Sequence, residues 1–142
     1  MSVVALAAPQ QNVRKAIDVV LMKIYPEFQK WPSEWMESTR DIEYGKKIVA
    51  VMEPFIKGLI DKGLAKSTLN KHLSNLSWFG KKLMHEVNLN ETYDEDVCDL
   101  ILENLDVDGK ICRQATESEV VSFEPTRWIF FGYLLLKCEQ GN

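Results

Sequence analysis

Apolar residues recur along this chain at helical rather than alternating spacing, in segments parted by proline, glycine and short polar turns. After Pro9, the positions Val13, Ile17, Val20, Leu21 and Ile24 define a first helix that Pro26 ends. WPSEW, residues 31–35, reads as a packed connector or a single helical turn. From Ile42 onward, Ile48, Val51, Met52, Phe55, Ile56, Leu59 and Ile60 form one face of a second helix of about five turns. Pro54 is expected to kink or split it. The helix ends near Lys62, and Gly63 suits a left-handed residue just past its end.

The third segment, GLAKSTLNKHLSNLSWFGKKLMHE, carries the clearest pattern. Ser67 is placed to cap a helix running to Glu86. Leu69, Leu73, Leu76 and Leu83 fall on one side, with Gly80 at the missing step, where a neighbouring helix can approach closely. The other side holds Lys71, Asn75, Trp78, Lys82 and His85, with Lys81 beside them. This helix is therefore amphipathic, and its outward face is basic with a tryptophan in the middle.

Thr92 and Glu95 have capping-box spacing ahead of Val97, Leu100, Ile101 and Leu105, which predicts a fourth helix. Thr116 and Glu119 repeat the signature for a short fifth. Between them DVDGKICRQ is a turn with a brief extended stretch over Lys110 to Arg113. EPTRWIFFGYLLLKC, after Ser122, is apolar on every side, the mark of a buried central helix, so Trp128, Phe131, Leu134 and Leu135 are expected in the core. Helices two and three are expected to pair as an antiparallel hairpin through Gly63. The fold predicted is an all-α bundle of five or six helices, with residues 1–8 as a flexible tail and residues 9–142 as one domain.

Composition narrows the class. The chain has 142 residues, 46% of them apolar and 27% charged, which suits one soluble domain with a real core. It has neither a membrane-spanning run nor a secretory leader. Cys98, Cys112 and Cys138 are odd in number and widely spaced, so they form neither a disulfide framework nor a metal knuckle, and a reducing cytoplasm fits.

The net charge of −4 conceals a segregation. Residues 56–85 carry six lysines against Asp61 alone, whereas residues 86–124 carry twelve acids against Lys110 and Arg113.

GLIDKGLAKSTLNKHLSNLSWFGKKLM resembles part of the core-binding, SAM-like domain of tyrosine recombinases, in which a helix crosses the DNA. DIEYGKK, KHLSNLSWFG and SFEPTRWIFF together resemble words found in the same order in short stand-alone bacterial proteins of no established activity. The recombinase likeness implies DNA contact without cleavage. Neither His72 nor His85 is followed by arginine at the third position, and the chain has no room for the separate catalytic domain.

Other chemistry is weaker. With Gly109 at position six of a calcium loop, Asn104, Asp106 and Asp108 occupy ligand positions, but Ala115 stands where the bidentate glutamate belongs. His72 and His85 are too far around a helix to share a metal.

No cofactor is expected, and the chain reads as a non-catalytic binder. Its leading partner is nucleic-acid backbone, met through Lys71, Asn75, Trp78, Lys81, Lys82 and His85. The alternative is a protein partner met through the acidic segment or exposed tryptophans.

Overall fold

The computed structural model describes residues 18–141, the side chains of 138–141 excepted. The expected tail over residues 1–8, the start of the first helix and the Cys138 thiol lie outside the described residues. Every regular element among those described is helical. In chain order these are α1 (residues 18–24), a 3₁₀ turn Pro26–Lys30, α2 (Trp31–Trp35), α3 (Asp41–Asp61), α4 (Lys66–Asn90), α5 (Val97–Leu105), α6 (Lys110–Gln114) and α7 (Glu117–Gly141). That makes seven α-helices among the described residues rather than five or six. None is long and apolar enough to cross a membrane.

The WPSEW connector is the single turn α2, and both its tryptophans are core residues. Trp31 and Trp35, one turn apart, are both buried and stack at 5.3 Å, with the Phe28 ring edge-on to Trp31 at 4.8 Å. Glycine makes room for them. A Cβ on Gly80 of α4 would lie 2.3 Å from Trp35 Cζ2, so the close approach expected at Gly80 is made by an indole.

α3 buries Ile48, Met52, Phe55, Ile56 and Leu59, as its periodicity predicts. Pro54 does not split it. The proline is exposed, and so is Ala50, whose carbonyl loses its helical donor there, so water can take the donor's place. Gly63 adopts φ +74° in the turn that follows.

α4 is the centre of the packing, against α2, α3, α6 and α7. Leu69, Leu73, Leu76 and Leu83 are buried as expected, joined by His72, Phe79, Met84, Glu86 and Val87. Its boundaries differ from those expected. Ala65, without a side-chain cap, precedes the first turn in place of Ser67, and the helix continues past Glu86 because Val87 extends the buried face.

Three further expectations are corrected. Asp96, not Thr92, caps α5, its carboxylate accepting from Asp99 N at 3.1 Å. Lys110 to Arg113 are helical within α6 rather than extended. The Thr116–Glu119 box forms reciprocally, with Thr116 N to Glu119 Oε1 at 2.9 Å and Glu119 N to Thr116 Oγ1 at 3.1 Å. It opens not a short helix but the whole of α7, which runs unbroken through the exposed Pro125.

The buried side of α7 is Phe123, Thr126, Arg127, Phe130 and Leu134. Phe130 packs against Phe55 at 4.8 Å and Phe123 stacks on Phe79 at 5.3 Å. Trp128 and Leu135, expected in the core, are instead 70% and 45% exposed, and Phe131 is only partly covered. The body of the protein covers one side of α7 and leaves the other bare.

A buried carboxylate ties the start of α3 to the end of α4. Asp41 is fully buried, and it accepts from Glu37 N at 2.8 Å, Ser38 N at 3.1 Å, Asn88 Nδ2 at 3.1 Å and the Tyr93 hydroxyl. Burial works against its charge. The bonds from Tyr93, Glu37, Asn88 and Ser38 outweigh that and hold its pKa below the ordinary carboxylate value.

Candidate interaction surfaces

The basic stripe on α4 is only half open to solvent. Asn75 Nδ2 donates to Ser122 O at 3.0 Å and to Thr126 Oγ1 at 2.8 Å, so this side chain fastens α4 to α7. Trp78 lies half-buried with its ring 5.1 Å from Phe123, and its Nε1 donates to Glu119 Oε2 at 2.9 Å. His85 is exposed but paired with Glu37 at 2.7 Å. The outward face read from spacing is thus corrected. α7 packs along it, and what remains clear of ion pairs among the described residues is Lys71, Lys81 and Lys82, all exposed.

His72 is a core residue. Its Nδ1 lies 2.8 Å from Thr126 Oγ1. Asn75 donates to that same oxygen, which can also give its hydrogen to Nδ1 or accept one from it. Burial first, and the nearby Lys71 charge second, hold its pKa below the ordinary value, so the ring is neutral.

The acidic segment folds alongside the basic helix. Lys110 Nζ reaches the nearly buried Glu86 at 2.8 Å, and a cleft of about 460 Å³ opens beside that pair. Glu95, Glu103, Asp106 and Asp108 line it with Arg113. In the loop weighed as a calcium site, Asp106 Oδ1 accepts from Asp108 N at 3.0 Å. Among the described residues no group of three or more histidine, cysteine or acidic side chains is arranged to hold a metal. The Cys112 thiol is pushed up by burial, so it is a poor nucleophile.

The feature that spacing did not single out is the bare side of α7. Val121, Trp128, Ile129, Leu135 and Leu136 are 67%, 70%, 37%, 45% and 61% exposed. With Pro125 and Gly132 they fill one side of the helix, because residues 121, 125, 128, 132 and 135 alternate steps of four and three. That alternation was visible in the sequence. It was masked by the equally apolar residues on the other side. Scattered apolar residues on a surface are ordinary, but a contiguous patch around a tryptophan marks a contact surface.

No family model matches the chain, and no curated protein or solved structure matches it.

Proposed function

We propose that this chain is a non-catalytic protein-interaction module whose binding face is the bare side of α7, centred on Trp128. The observation that carries the reading is the contiguous exposure of Val121, Trp128, Ile129, Leu135 and Leu136 on one helix face. A large aromatic anchor ringed by aliphatic side chains is the composition of an interface centre. Its spacing fits helix-against-helix recognition through i, i+4 and i+7 anchors.

A photo-crosslinking residue at position 128 tests this in the cells that carry the gene. The control is the same residue at Val107, which is 57% exposed and lies on the turn between α5 and α6, outside the exposed face of α7. A discrete protein adduct is expected at 128 and not at 107. Equal, diffuse labelling at both positions would sink the reading.

Contact with a nucleic-acid backbone is the second reading, and the exposed Lys71, Lys81 and Lys82 favour it, in keeping with the local likeness to a recombinase core-binding domain. It is the weaker of the two. Glu119 stands beside Trp78 and the acidic cleft adjoins the same helix, so DNA laid along α4 would meet carboxylates. Binding of generic duplex that falls steeply with salt and is lost in Lys71→Glu with Lys82→Glu would reverse this order.

A further inference from the structure

Resting on that reading of the α7 face, we infer that its occupant is a second copy of this chain, packed antiparallel about an axis between Trp128 and Gly132. The alternation of four and three over residues 121, 125, 128, 132 and 135 is the seam by which two helices pack knobs into holes. A seam that closes on itself must be self-complementary under a twofold axis. This one is. A Cβ placed on Gly132 meets nothing within 4 Å, so the middle of the face is open space one turn from its largest side chain. Antiparallel pairing sets each Trp128 over the partner's Gly132 and each Leu135 over the partner's Pro125, large against small at these four positions, with Val121 beyond them. Parallel pairing would set tryptophan against tryptophan and glycine against glycine, which gives a collision followed by a void.

Area allows the same occupant, and charge disfavours a membrane in its place. One tryptophan and four smaller aliphatic side chains, 37–70% exposed, leave on the order of 500 Å² bare per copy at most. A pair would bury about 1,000 Å², which is the floor for a specific, reversible contact. A membrane surface fits less well. Interfacial helices flank their apolar face with lysine and arginine, whereas Glu117 and Glu124 flank this one.

Sedimentation of the full chain over a concentration series, with circular dichroism as the check on folding, tests the pairing. A monomer–dimer equilibrium is expected. Trp128→Glu should weaken it by more than about tenfold. Gly132→Leu is the sharper variant. It fills the space that Trp128 enters and should also abolish the dimer, with the circular dichroism unchanged from the wild type, since a Cβ there meets nothing within 4 Å. Non-specific stickiness predicts the opposite, stronger association of Gly132→Leu, and that result would overturn the inference.

A chain monomeric at every concentration would overturn it too. Iodide quenching of the wild type against Trp128→Phe then separates the causes. An accessible Trp128 leaves the protein-interaction reading standing with a different partner, and a membrane as the further candidate. A shielded Trp128 in a monomer means that another part of this chain covers the face, and both readings fall.

Discussion

Replacing Gly80 with alanine sets two well-measured effects against each other. Alanine is favoured over glycine inside a helix by about 1 kcal/mol, and Gly80 lies well within α4. Its added Cβ, however, would sit 2.3 Å from Cζ2, 2.4 Å from Cη2 and 2.7 Å from Cε2 of Trp35. Carbon atoms pack best at about 3.5–4.0 Å, so the ring must retreat by more than about 1 Å. It has nowhere to go, because Trp35 is 2% exposed and stacked at 5.3 Å on Trp31, which is itself fully buried.

Overpacking of a closed core costs about 1–3 kcal/mol, and this site belongs at the upper end. The expected net is a loss of about 2 kcal/mol after the helix gain is subtracted, or ~6 °C in Tm for a chain of this size. Urea melts followed by circular dichroism measure it. The same substitution made on Trp35→Leu should become neutral or stabilising by up to about 1 kcal/mol, since the blocking ring is gone. A rise in stability for Gly80→Ala in the wild-type background would refute the reasoning.

Acid should destabilise the protein in two steps. The His72 pKa is held below its ordinary 6.5, so as pH falls the unfolded chain takes up that proton first, and Tm should decline below that point. Asp41 is held below its ordinary 3.8, so its stabilising contribution, present above that value, is lost as pH falls further through the lowered one. Melts in a pH series would check both steps, and His72→Gln should remove the first alone. Thr116→Ala removes the Oγ that caps α7 and should cost about 1 kcal/mol. A melting curve unchanged from the wild type would show that the box carries no stability.

Local signatures were legible in the sequence where one residue type answers one backbone or packing need. Gly63 takes its positive φ, Thr116 and Glu119 close their box, and Gly80 meets a large neighbour. Periodicity likewise named the buried faces of α3 and α4. Boundaries were less legible because packing overrides the best capper. The residue that precedes α4 is Ala65, two ahead of Ser67, where Leu64 is already packed on the core and Leu69 N bonds Ala65 O at 2.9 Å.

In the α4 stripe, Asn75 and Trp78 were misjudged as solvent-facing for a related reason. A helix pattern shows which residues share a side, and not whether another polar helix side, here Glu119, Ser122 and Thr126, will meet it. α7 is the extreme instance. Apolar residues surround it, so hydrophobicity cannot decide which side turns inward. The fit of Phe123 and Phe130 against Phe79 and Phe55 decides it, and Trp128 is left outside.

The Asp41 knot also bears on how long a folded molecule lasts. Its donors Asn88 and Tyr93 lie 47 and 52 positions along the chain, so it closes only after the start of α3 and the end of α4 have been brought together. An interaction completed that late is largely absent from the folding transition state. Asp41→Asn should therefore quicken unfolding and leave the folding rate nearly unchanged, moving one arm of a stopped-flow chevron and sparing the other. A shift in the folding arm would place the knot early instead. On this account the carboxylate sets the lifetime of the native state rather than the speed of reaching it.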